Sequence, residues 1–281
     1  MLDITRLLKD NLIQRLRQGY CETFGDEGSG YERLIAEIAD RTVSTIARSN
    51  TLYHNVEHTI QVTLVGQAIL EGKSLSNSKV TARDWLNAIV SLLCHDIGYV
   101  RDICHADRDG LIATGEGDER IALDPGSSDA ALMPYHVRRA QLYIEESYSD
   151  RPGIDTELIK QNIERTRFPI PKTAEYQKTE DYPGLVRGAD LIGQFSDPRY
   201  LRKLPAVFYE FEETGFNDTT GYRNPRDLLE NYADFYQVNV APYIQESLVH
   251  LARSKDGEQI IESLHANLAT ARESSPQLRI S

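Results

Sequence analysis

Two short stretches constrain this chain more than any other feature. In the first, YHNVEHTIQVTLV from Tyr53 to Val65, His54 and His58 stand four residues apart, so on a helix they share one face. That face continues as the apolar stripe Val62, Val65 and Ile69. A histidine at the end of such a stripe is aimed at the core. The second stretch, Trp85 to Ile97, reads as a helix with the stripe Trp85, Ile89, Leu92 and Asp96, which ends on a carboxylate. A buried carboxylate cannot stay charged and alone without a large penalty. Two helices that each bring an imidazole or a carboxylate to one buried place are best reconciled by a metal ion.

The rest of the chain reads as helices around that pair. Helical periodicity is expected over 3–19, 31–48, 54–71, 135–149, 156–167, 183–195, 198–213, 238–254 and 257–272. Gly72 is expected as a C-terminal cap, Thr81 with Asp84 as a capping box, and Asn224-Pro225 as a helix start. The segment 25–30, the polar run 74–79 and the frayed tail 274–281 separate or end helices. Residues 99–134 lose the periodicity and crowd acidic side chains, from Asp102 to Asp129. This stretch leaves directly from His95-Asp96, so it reads either as a lid or rim over the site or as a solvated acidic insertion. No strand alternation exceeds four residues and no repeat occurs. The expected fold is all-α: a compact multi-helix bundle forming a single domain over 1–281. Its catalytic core lies at about 51–200, and 1–50 and 201–272 are packing additions.

Charge and cysteine usage narrow the function classes. A net charge of −12 disfavours nucleic acid and anionic lipid, both of which need Lys/Arg facing phosphates. No stretch approaches the ~20 apolar residues of a membrane span. The three scattered cysteines, Cys21, Cys94 and Cys104, fit reduced thiols in a cytoplasmic protein, with Cys94 as core filler. His105 is expected in solvent and His250 and His265 on the surface. GEGDE at 115–119 lacks the strand and helix that a phosphate-binding glycine loop needs.

His58, His95, Asp96 and Asp190 come from three helices, each at an apolar face. Imidazole with carboxylate suits Zn, Fe, Mn, Co or Ni. Asp96 has two oxygens and can bridge two ions. His136 heads the stripe Ala140–Tyr143 and is a further candidate ligand. His54, one turn ahead of a ligand, can protonate a leaving oxygen, with support of the ligands as its alternative role. Arg138, Arg139, Arg165 and Arg167 lie near the site helices as candidate phosphate contacts, each with a plain surface charge as the competing reading.

The combination YHNxxHxxxV, then LLCHDIG, then a helix carrying GAD, resembles the HD-domain metal-dependent phosphohydrolase superfamily. The YHN form is similar to the catalytic core of class I cyclic nucleotide phosphodiesterases, and the resemblance spans about 50–195, including Thr166. It implies His58, His95, Asp96 and Asp190 as metal ligands, Asp96 as the bridge between two ions, His54 as proton donor and Asn55 as a supporting, substrate-side residue. Gly98-Tyr99 stands where the phosphodiesterases carry a further histidine, and Gln237 is the nearest candidate for their base-clamping glutamine. The implied activity is hydrolysis of a phosphoester, from a nucleotide or another small molecule, with one or two divalent ions (Mn, Mg, Fe, Zn, Co or Ni). Asn55, Arg138 and Arg167 are the substrate-contact candidates. A di-iron oxygenase of the same fold and a non-catalytic nucleotide-binding regulator are the alternatives.

Overall fold

Side-chain caps set several of the helix starts. In a computed structural model, which describes residues 3–25, 27, 30–76 and 79–274, α1 (Ile4–Phe24) begins behind Asp3, whose carboxylate accepts from the Arg6 N–H. α2 spans Tyr31–Ile46. α3 (Val56–Ser74) is capped by Asn55, which accepts from the N–H groups of Glu57 and His58. α4 (Ala82–Cys94) carries the expected capping box between Thr81 and Asp84. α5 (His136–Tyr148), α6 (Thr156–Glu164) and the single turn α7 (Ala174–Gln177) follow. α8 (Tyr182–Ser196) starts behind Asp181, and α9 spans Tyr200–Glu213. After the short helices α10 (Phe216–Thr220), α11 (Pro225–Glu230, capped by Asn224 as expected) and α12 (Tyr232–Phe235), a π-helical turn, Tyr236–Val240, leads into α13 (Ala241–Leu251). α14 (Gly257–Ser274) is the last element, and the tail beyond it lies outside the described residues.

The protein is an all-α bundle, with one core that runs from Leu12 to Ala271. Both stripes read from the sequence face it: Val62, Val65 and Ile69, and Trp85, Ile89 and Leu92, are buried. α3 and α8 run close together because Gly193 faces Val62, where a Cβ would stand 2.8 Å from the Val62 Cα. This contact brings the histidine of α3 next to the aspartate of α8.

Several helix ends differ from expectation. α3 begins at Val56, so His54 precedes the helix rather than sharing a face with His58. α4 stops at Cys94; His95 and Asp96 form a turn that runs into a 3-10 segment, Ile97–Tyr99. Gly72 does not cap α3, which continues to Ser74. A Cβ there would lie 1.8 Å from the His250 carbonyl oxygen, so the glycine allows α13 to cross α3. The same crossing buries His250 (3% exposed), against its expected surface position.

Residues 99–134 are neither loose nor wholly solvated. They contain a minimal antiparallel pair, β1 (Ile112–Ala113) and β2 (Arg120–Ile121), which the sequence reading missed because neither strand is long enough to alternate. Glu116, Asp118 and Asp124 are exposed at the tip, but Asp107 is an internal pin. Its carboxylate accepts from the N–H groups of Ile103, Cys104 and Ala113 and meets the Arg139 guanidinium at 3.0 Å, both side chains fully buried. Arg139 also donates to the carbonyls of Gly98 and Val100. It is therefore a structural residue and no phosphate contact. Burial alone would raise the Asp107 carboxyl; the bonds and charge of Arg139 outweigh it and hold the group below its ordinary value. Arg139→Ala leaves that carboxylate buried and uncompensated and is expected to cost about 3–5 kcal/mol in a urea melt. Because the folded pKa is depressed, the pair's stabilisation is present above the ordinary carboxylate value and is lost as pH falls through the folded one, so the gap between the two proteins should narrow in acid.

Candidate metal centre

Four side chains from α3, the turn after α4, and α8 converge. The ligand atoms of His58, His95 and Asp190 all lie within 4.8 Å of one another. Asp96 Oδ2 stands 3.2 Å from Nε2 of both His58 and His95, and Asp190 Oδ1 is 3.5 Å and 3.6 Å from the same two nitrogens. His95 Nδ1 donates to the Leu92 carbonyl at 2.7 Å, which leaves a lone pair on its Nε2. That nitrogen faces His58 Nε2 at 3.4 Å. Asp96 Oδ2 is buried without a well-formed hydrogen bond among the described residues. Two imidazole nitrogens and the Asp190 oxygen lie together, with the orphaned Asp96 oxygen beside both histidines, a donor set that fits a divalent cation bound by N and O.

The electrostatics point the same way. Burial disfavours an imidazolium at His95, yet Asp96 and Asp190 outweigh it and push its pKa well above the ordinary value. Burial opposes ionisation of both carboxyls too, but the histidines hold Asp96 well below the usual range and Asp190 at about 2. The cluster attracts positive charge strongly enough to draw in a proton where no metal ion sits.

His54 lies beside the cluster, held by a residue that sequence reasoning missed. Its Nδ1 is 2.5 Å from Glu210 Oε2, and Glu210 Oε1 accepts from the backbone N–H of Tyr53 at 2.6 Å. Burial would lower the His54 pKa; the Glu210 charge and hydrogen bond raise it to about 9. The signal available in the sequence was spacing: Glu210 stands three residues after Val207 on the buried face of α9. The adjacent Glu212 and Glu213, which are exposed, disguise it as part of a solvated run.

His54 stacks on Tyr99 (ring centroids 4.8 Å apart), and Tyr99 stacks on His136 at 4.6 Å. His136 Nδ1 donates to the Met133 carbonyl, and its Nε2 stands 3.9 Å from Asp96 Oδ1, on the other side of that carboxylate from His58 and His95. Burial keeps His136 below the ordinary histidine value against the pull of Asp96, so it is neutral and able to ligate. Gly98 lets α5 approach: a Cβ would lie 1.9 Å from the His136 carbonyl oxygen. Gly98→Ala is expected to displace the start of α5 and destabilise the fold by about 1–3 kcal/mol, read from the denaturation midpoint.

The other candidates separate. Asn55 spends its side chain on the α3 cap and on the Leu52 carbonyl, so it orients His58 rather than a substrate. Arg138 sits half-exposed, facing Glu164 and Glu116, away from the cluster. Arg167 lines the adjoining cavity but is clamped by Glu164 at 2.6 Å and 3.1 Å. Arg165, read as a surface charge or a phosphate contact, is buried and bonded to the Lys178 carbonyl. Gln237 is exposed on the π-helical turn and does not line the cavity. His105 and His265 are exposed as expected, and Cys94 is buried core.

The cavity over Asp96, Asp190 and His54 measures about 100 Å³. Val207, Phe211 and Phe235, from segments expected to be packing additions, close one side of it. The candidate site therefore extends past residue 200, because α9 folds back to supply both part of the wall and Glu210. Among the described residues no helix is long and apolar enough to cross a membrane.

The chain belongs to the Npun_R2479-like family, which matches it over residues 2–274. No curated protein matches the sequence.

Proposed function

We propose that this member of the Npun_R2479-like family is a divalent-metal-dependent phosphohydrolase that cleaves a phosphoester of a nucleotide or another small molecule. The observation that carries the reading is the convergence of His58, His95 and Asp190, with the orphaned Asp96 Oδ2 3.2 Å from both histidine nitrogens. His58, His95 and Asp190 would hold the first ion; Asp96, with Oδ1 turned toward His136, would span to a second. A divalent cation supplies Lewis acidity toward the phosphoryl group and a nucleophilic water at neutral pH.

The chain's own residues then manage position and protons. Water gives up one proton to bulk solvent as its oxygen bonds to phosphorus, the ester P–O bond breaks, and the electron pair stays on the departing oxygen. His54, protonated and fixed through Nδ1 by Glu210, delivers its Nε2 proton to that oxygen. Tyr99, packed between His54 and His136, keeps the acid and the neutral imidazole apart. The acidic surface and three free thiols support a cytoplasmic protein that does not bind nucleic acid.

A di-iron oxygenase is the second reading, favoured specifically by the placement of His136 near Asp96. One protocol separates the two. Elemental analysis of the protein as purified should find one or two divalent ions per chain. The same sample should then hydrolyse members of a phosphoester panel with Mn²⁺, Mg²⁺, Co²⁺ or Ni²⁺ under nitrogen. Iron content with a product that forms only in oxygen would replace the hydrolase reading, and nucleotide binding without turnover would point to a regulator.

A further inference from the structure

Phe168, Ile170, Phe195, Phe211 and Phe235 line the cavity that Asp96 and Asp190 also line. Phe235 packs against both Phe168 and Phe195, with ring centroids 5.8 Å and 6.1 Å apart. Several of the polar groups that share this lining are bonded within the protein. The Gln194 amide donates to the Tyr200 hydroxyl, and the Thr166 hydroxyl to the Ile163 carbonyl. Arg167 is held by Glu164, and both terminal nitrogens of Arg187 donate to the carbonyls of Tyr176 and Lys178. Arg187 Nε is the exception: it is buried with no hydrogen-bond partner among the described residues, and its residue lines the cavity.

A nucleotide brings sugar hydroxyls and base edges that lose water on entering such a pocket. Each polar group left without a partner weakens binding by its lost hydration. Size argues likewise: the cavity of about 100 Å³ falls well below the ~300–1,000 Å³ of drug-sized ligand sites.

We infer that the substrate is a compact phosphate ester of an apolar organic group, no larger than a single ring, and not a nucleotide. The phosphoryl end would lie at the His/Asp cluster and the organic group against the phenylalanines. This rests on the phosphohydrolase reading for the reaction but on the pocket alone for the preference.

The test uses the full chain with Mn²⁺. Calorimetric titration with phenylphosphonate, which cannot be hydrolysed at an ester bond, is compared with adenosine 5′-monophosphate, and kcat/KM is compared for phenyl phosphate, the same nucleotide and cyclic AMP. Phenylphosphonate is expected to bind at least tenfold more tightly, and phenyl phosphate to be cleaved with at least tenfold higher kcat/KM. Phe235→Leu and, separately, Phe168→Ala should weaken phenylphosphonate several-fold while metal content stays at the wild-type level. Binding or turnover of either nucleotide equal to or better than that of the phenyl compounds overturns the assignment. Tight phenylphosphonate binding with no ester cleaved upholds the pocket preference and removes the hydrolase reading.

Discussion

Asp96→Asn is expected to reduce turnover to the rate without enzyme and to strip bound metal. The two oxygens of this candidate ligand face different imidazoles: Oδ2 lies 3.2 Å from His58 and His95, Oδ1 3.9 Å from His136. An amide keeps the shape but removes a full negative charge and turns one oxygen into a donor, which repels a cation. Both candidate ion positions lose the residue that joins them. Elemental analysis should fall from at least one ion per chain to near none, and the rise in melting temperature that added Mn²⁺ gives the wild type should vanish. Asp118→Asn, on the exposed tip of the acidic segment, should change neither quantity. Full metal content and full activity in Asp96→Asn would remove the basis of the functional reading.

The second large effect belongs to Glu210. Glu210→Gln removes the charge that raises His54 to about 9. The variant imidazole keeps only the weaker pull of Asp96 and Asp190 against burial, so its pKa falls and less of it carries an Nε2 proton to give at pH 8. The loss in kcat should approach that of removing a general acid, about 10²–10⁴-fold. The direction with pH follows from the sign of the shift. The wild-type acid is present at low pH and lost as pH rises through its folded value, so activity falls on the alkaline side. A neighbouring cation moves that limb below about 9, and the substitution moves it further down. NMR titration of the metal-free proteins reads the same shift without activity. The stabilisation from a raised His54 is complete below the ordinary histidine value and is lost as pH rises through the folded one, so wild type and variant should converge in stability above that point. An unchanged alkaline limb in Glu210→Gln would show that Glu210 only positions the loop.

Local rules made much of the fold legible. Thr81 and Asp84 announced α4, Asn224-Pro225 announced α11, and the stripes Val62–Val65–Ile69 and Trp85–Ile89–Leu92 marked the buried faces, because caps and periodicity depend on near neighbours alone. The same rules placed His54 inside α3, although it stands two residues ahead of the helix start at Val56. Asn55, read as a substrate-side residue, is the N-cap that starts the helix there. Gly72 resembled a cap for a similar reason: a glycine near a helix end looks the same whether it terminates the helix or lets another helix cross it.

The sequence by itself determined the all-helical class and the four side chains aimed inward from apolar faces. Only the tertiary structure decided what surrounds them. Glu210 reaches His54 across 156 residues, Asp107 meets Arg139 across 32, and Phe235 packs on Phe168. These pairings arise where distant segments fold against each other, and no periodicity or cap records them, because the energy that selects each one exists only once its partner has been buried beside it.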